Sequence, residues 1–217
     1  MLRKITLIIL CLLLLTACDQ MKPFSPVQPA AQPGDVLFED DFSGSPTGWG
    51  TLGREGGSIG FEYEGMVITV NLPQYLFWSV NGDRYTDARI DVDAVLLSGP
   101  TNDALGVICR FQDNDNYYGF MISHDGYYGI YKMIDGQMVM SSAEGNMNFS
   151  EAIRQGGVVN HIQVVCEDNI LSLIVNDVLL AEVKDDSFSD GRIGLIAGAY
   201  DTPGVKVLFD NLRVTQP

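Results

Sequence analysis

Four side chains within one stretch could together grip a polyhydroxylated ligand. Arg110, Tyr117, Tyr128 and Lys132 all fall in Gly106 to Gly136, GVICRFQDNDNYYGFMISHDGYYGIYKMIDG. A sugar ring stacks its apolar face on a phenol while guanidinium and ammonium donors bond its hydroxyls, so two tyrosines and two cations on one surface make a workable binding set. The competing reading of the same four is a solvated sheet face with aromatic cross-strand packing. A second set is Asp91 and Asp93 in ARIDVDAVLL. Two apart on a strand, their carboxylates share one face about 7 Å apart. That spacing suits the acid and base of a glycosidase, and solvated surface charges are the simpler alternative. Cys109 and Cys166 each alternate with apolar neighbours, so both face the core. A disulfide and two separate buried thiols remain the alternatives for this pair.

These side chains need a sheet to hold them, and the same stretch predicts a β-meander. Its three apolar and aromatic runs are separated by clusters of Asp, Asn and Gly. Asp125-Gly126 can supply the two positive-φ residues of a type I′ turn, which predicts a two-residue hairpin with His124 opposite Tyr127. Phe120 then faces Tyr131, Ile122 faces Gly129 and Tyr118 faces Met133, giving one apolar face. The other face carries Tyr117, Gly119, Met121, Ser123, Tyr128, Ile130 and Lys132. On the preceding run Arg110 points out, while Val107, Cys109 and Phe111 point in.

Short β-branched and aromatic runs recur from Val36–Phe42 through Lys206–Val214, punctuated at Glu64-Gly65, Asn81-Gly82, Asp135-Gly136, Asp168-Asn169 and Asn176-Asp177. Only Ser150 to Gln155 invites a helical turn, which Gly156 stops. The pattern predicts an all-β, two-sheet antiparallel sandwich over residues 35–217, in one domain. Two motif matches fail on context. Gly48 to Gly53 fits G-x-G-x-x-G without the following helix that a dinucleotide site needs. Gly56 to Gly60 fits G-x-S-x-G but leads into a strand, not a helix. The two histidines, His124 and His161, and the absence of H-E-x-x-H or paired-cysteine motifs argue against a transition-metal site.

At the start, Arg3 and Lys4 precede the apolar run Ile5 to Leu15 and then Leu15-Thr16-Ala17-Cys18. A charged segment, a short apolar run and small residues before a cut site predict a signal peptide over residues 1–17. The last four residues resemble the bacterial lipobox, which implies cleavage before Cys18 and lipidation of its thiol. Residues 18–34 contain Pro23, Pro26, Pro29 and Pro33 among Gln, Ala and Ser. Such a segment packs no core and predicts a tether reaching up to roughly 50 Å if extended.

The runs LFEDDFSGSPTGW, CRFQDNDNYYGFMISHDGYYGIYK, NHIQVVCEDNILSLIVND and GRIGLIAGAYDTPGVKVLFDNLRV resemble the concanavalin A-like or laminin G-like jelly-roll superfamily. They are similar in particular to its bacterial branch related to 3-keto-disaccharide hydrolase-like domains. The resemblance implies a curved sandwich whose concave sheet often meets carbohydrate, with calcium in some branches. It also implies that first and last strands are neighbours, which makes Asp40 and Asp41 with Asp210 and Asn211 the candidate oxygen set, Asp41 and Asp210 foremost. Calcium wants six to eight oxygen ligands, and turn-forming Asp and Asn serving local backbone is the alternative. Retaining glycosidases of this fold carry a glutamate, aspartate, glutamate strand motif, and ARIDVDAVLL lacks both glutamates.

The formal charge of −15 opposes nucleic acid and other polyanions as partners. The expectation is a lipid-anchored, extracytoplasmic binding module at the cell membrane for carbohydrate or another polyhydroxylated ligand, needing no cofactor beyond that calcium candidate. The alternatives are a hydrolase of a sugar derivative and a structural or protein-interaction domain of the cell envelope.

Overall fold

The computed structural model describes residues 30–44, 48–142 and 145–217. The predicted leader, Cys18 and most of the tether lie outside the described residues. Residues Ala31–Pro217 form one compact unit. The chain joins it where Gly34 N–H donates to the Gln216 carbonyl and Gln216 N–H donates to that of Asp35.

The strands, in order, are β1 (Val36–Asp40), β2 (Leu52–Arg54), β3 (Gly57–Glu62), β4 (Gly65–Val70), β5 (Tyr75–Tyr85), β6 (Ala88–Ser98), β7 (Asp103–Asp113) and β8 (Asn116–Ile122). They continue with β9 (Tyr127–Ile134), β10 (Gln137–Met140), β11 (Asn148–Phe149), β12 (Asn160–Glu167), β13 (Ile170–Val175), β14 (Val178–Lys184), β15 (Gly191–Ala199) and β16 (Val205–Thr215). One sheet has nine strands ordered β14-β13-β12-β6-β16-β4-β3-β2, with β1 on β16. The other has seven, ordered β10-β9-β8-β7-β15-β5, with β11 on β9. The pairs are antiparallel, and the strands alternate as the sequence predicts, so Ile90, Val92 and Ala94 of β6 enter the core. Opposite them, β7, β8 and β15 contribute Leu105, Val107, Phe120 and Leu195. Burying such runs from both sheets supplies most of the stability, at about 25 cal/mol per Å² of apolar surface. A Cys109–Cys166 disulfide joins β7 to β12 through this core, across the two sheets.

The predicted register of β8 on β9 is corrected by one residue. Tyr117 faces Met133, Tyr118 faces Lys132, Phe120 faces Ile130 and Ile122 faces Tyr128. The loop is His124-Asp125-Gly126, closed by Gly126 N–H donating to Ser123 O at 3.0 Å and Ser123 N–H donating to Tyr127 O at 2.8 Å. Within it only Gly126 has positive φ, at 101°, as a three-residue hairpin requires. A slip of one residue sends each β9 side chain to the opposite face. Two-residue turns with both residues at positive φ do form at Asp135-Gly136 and Asn176-Asp177. Asn81-Gly82, predicted as a strand end, lies inside β5 at a bulge.

Candidate functional site

The corrected register and a second bulge disperse the four predicted ligand residues. Arg110 has φ 51° at a bulge in β7, where the register on β8 and β15 shifts. Its side chain is 2% exposed. Nε donates to Thr86 O at 3.1 Å and Nη1 to Asp168 O at 2.8 Å and Phe188 O at 3.0 Å, while Nη2 pairs with Asp87 at 3.2 Å. Arg110 is therefore a fastener for three loops and not an outward ligand group. The extra residue also turns Phe111 to the outer face, where it stacks on Tyr117 with centroids 5.7 Å apart.

Tyr128 and Lys132 lie on the inward face of β9. Tyr128 is half-buried against the core. Lys132 Nζ donates to Asp185 Oδ2 at 2.5 Å and Ser187 Oγ at 2.9 Å, and Tyr118 Oη donates to Asp185 Oδ1 at 2.6 Å. Burial pushes the Asp185 carboxyl up, but the bonds from Lys132, Ser187 and Tyr118 outweigh it and hold it well below the usual carboxylate range. Of the four, only Tyr117 keeps its predicted face, and its ring is fully buried there.

The two acidic sets are also engaged locally. Asp91 binds Arg89 through two bonds at 3.0 and 3.2 Å and accepts from Gln163 Nε2 at 2.6 Å. Asp93 meets His161 Nδ1 at 2.8 Å and accepts from Asn211 Nδ2 at 3.0 Å. Burial raises the Asp91 carboxyl, yet its hydrogen bonds with the charges of Arg89 and His161 lower it overall, the wrong direction for a general acid. For calcium, β1 and β16 are indeed neighbours. Asp41, however, accepts from Ser43 N–H and Oγ, and Asp210 from Asn211 N–H. Asp40, Asp41 and Asn211 do line one cavity, but among the described residues no group of three or more His, Cys, Asp or Glu is placed to hold a metal ion.

What the fold does build is a groove on the outer face of the seven-stranded sheet. Its inner part is an apolar slot of about 240 Å³ between Leu76, Met121, Tyr131, Met140, Met147 and Tyr200. Two glycines let side chains lie flat on the sheet. A Cβ at Gly119 would meet the Tyr131 ring at 2.1 Å, and one at Gly129 would meet Met140 Cε at 2.6 Å. Tyr131 is 0% exposed, and among the described residues its buried hydroxyl and that of Tyr117 have no polar partner other than each other. Burial pushes both phenols up, Tyr131 well above the ordinary value, so both stay protonated donors. Tyr200 Oη donates to Met147 Sδ at 3.2 Å.

Met140, Met147 and Tyr200 also line an adjoining, more polar compartment of about 570 Å³, bounded further by Asn102, Ser123, Asp125, Tyr127 and Asn146. At its edge Tyr127, 44% exposed, packs edge-on to Phe149, 52% exposed, with centroids 5.7 Å apart. The loop that presents Asp125 is anchored beneath by His124. Its backbone N–H donates to Asp103 Oδ1 at 2.8 Å, and its Nδ1 bonds Asp103 Oδ2 at 2.7 Å. Leu96 N–H donates to Nε2 at 3.1 Å, so Nε2 is the acceptor and Nδ1 carries the proton. Both side chains are 0% exposed, and burial raises the Asp103 carboxyl despite its bonds to His124.

The slot is not legible in the sequence, because β10, whose Met138 and Met140 line it, carries a weak strand pattern, and Met147 lies outside any strand. Its one trace was the spacing of Met138, Met140 and Met147 around a glycine and asparagine loop, in a chain of 8 methionines.

No protein-family model matches the chain, and no curated protein matches it. Solved structures do. The carbohydrate-binding module CBM66 from Bacillus subtilis superposes with a TM-score of 0.64 at 17% identity, covering 79% of this chain and 98% of that one. The domain has a two-sheet antiparallel jelly-roll fold. The Bacillus licheniformis β-glucanase gives a TM-score of 0.62 at 10% identity over 86% of this chain and 100% of its own. A Bacillus subtilis protein of unknown function with a galectin-like fold gives 0.61 at 11% identity over 86% and 98%. At these identities the jelly roll shares its architecture with both a binding module and an enzyme, and only the site separates such roles.

Proposed function

We propose that the protein is a membrane-tethered, extracytoplasmic binding module for carbohydrate or another polyhydroxylated ligand. It holds its ligand in the groove on the outer face of the seven-stranded jelly-roll sheet, with Cys18 as the lipidated anchor. The observation that carries this reading is the groove itself, in which exposed aromatic rings and an apolar slot adjoin amide, hydroxyl and carboxylate groups. Aromatic faces suit sugar rings, and a few convergent polar groups fix orientation. The names of the superposable CBM66 module and of the other sugar-related folds support it by analogy.

Binding is favoured over hydrolysis because Asp125 is the one acidic residue bounding the groove among the described residues. Glycoside hydrolysis ordinarily needs two carboxyl groups flanking the bond. The exposed Met138, Val139 and Phe149 favour, as a second reading, a protein partner on the same face. A glycan array probed with the detergent-solubilised full chain tests the proposal. Retention of a glycan by the native protein, weakened by Tyr127→Ala by about fivefold or more without a change in melting temperature, is expected from loss of one stacking platform. Equal retention by Tyr127→Ala and Asp125→Ala variants would move the site off this groove.

A further inference from the structure

The two compartments of the groove differ in chemistry, and that difference specifies a ligand more narrowly than a polyol. Thioether, aliphatic and aromatic groups dominate the slot, with Leu76, Ala104, Met121, Met140 and Met147 around it. An unsubstituted pyranose carries hydroxyls around its ring, and most of those that entered the slot would lose water without finding partners, since Gln74 and the phenols are the few polar side chains on its wall. A ring kept in the polar compartment would leave the slot unfilled. Resting on the carbohydrate reading above, we propose that the ligand is a neutral sugar bearing a short acyl group, acetamido or O-acetyl. Its ring lies among Asn102, Asp125 and Asn146, and its acyl arm lies in the slot.

Three observations converge on that arm. Methionine side chains are flexible and polarizable and close readily around a methyl group. The Tyr131 and Tyr117 hydroxyls are buried beside each other with no other polar partner among the described residues, and one bond between them leaves one O–H donor without an acceptor. Native buried polar groups are ordinarily satisfied, and an acyl carbonyl oxygen supplies the acceptor that this remaining donor lacks. The charge pattern further sets the ligand as neutral. No Lys, Arg or His bounds either compartment among the described residues, Asp125 is negative, and the whole chain carries −15. A carboxylated or phosphorylated sugar would meet only repulsion there.

The test is a glycan array on which each sugar is printed with and without its acyl group, probed with the detergent-solubilised full chain and followed by titration of the best pair. The acylated member should bind about tenfold or more tighter, the worth of a placed methyl and one hydrogen bond. Gly129→Ala should erase that preference, because the added Cβ stands 2.6 Å from Met140 Cε and pushes that flexible methyl into the slot. Tyr131→Phe should reduce the preference while leaving the melting temperature unchanged or higher, which a purely structural role for the hydroxyl does not allow. Equal affinity within every pair, or a preference that survives both substitutions in folded protein, overturns the acyl assignment and leaves sugar binding standing. Retention of no glycan at all overturns both.

Discussion

Removing the Arg110 side chain should unfold this domain far more readily than it impairs any ligand. The guanidinium satisfies three main-chain carbonyls, Thr86, Asp168 and Phe188, and pairs with Asp87. It ties the β5–β6 connection, the β12–β13 turn and the approach to β15 to one buried point on β7. Truncation to alanine strands those acceptors and opens a void. Each unsatisfied buried acceptor costs about 1–3 kcal/mol, discounted where water reaches it. Breaking a buried ion pair by removing one partner costs about 3–5 kcal/mol, so the expected loss for Arg110→Ala is about 3–5 kcal/mol. Arg110→Lys should recover only part of it, since one ammonium cannot reproduce a planar fork that reaches acceptors on three segments. Urea unfolding followed by tryptophan fluorescence measures this directly, and glycan affinity of the folded fraction should be unchanged. A loss below about 1 kcal/mol together with lost glycan affinity would refute the reasoning, because it would place the guanidinium on the ligand.

Asp185→Asn should flatten the acid limb of the stability curve. The carboxyl is held below its unfolded value near 3.9, so its contribution is complete above that pH and is lost as pH falls toward the lower folded value. Melting temperatures of native protein and variant between pH 6 and pH 2, set by that window, should converge at the acid end. Cys109→Ala with Cys166→Ala should cost about 2–5 kcal/mol, since the bridge spans 57 residues. Alkylation of both thiols in unreduced, unfolded native protein would contradict the bond. Cys18→Ser should abolish incorporation of labelled fatty acid in cells, and label retained by the variant would remove the anchor from the proposal.

Local pattern determined the all-β class and the longer strands, though not the short β2, β10 and β11, because inside and outside alternate along each run whatever the neighbours are. It determined the Asp135-Gly136 and Asn176-Asp177 turns for the same reason, since both are set by the φ preferences of the residues in them. It also placed Cys109 and Cys166 on the core side, where they meet. Asp125-Gly126 looks equivalent and is not. His124 is drawn out of the ladder by Asp103 at the start of β7 and Leu96 on β6, contacts spanning 21 and 28 residues. That extra loop residue reverses β9, taking Tyr128 and Lys132 inward and bringing Tyr131 out over Gly119. Arg110 departs from strand parity because its acceptors come from three distant segments, which no alternation along β7 encodes. The groove depends on the same long-range choices: a half-buried strand can expose either of its two sides, and only the packed fold selects one.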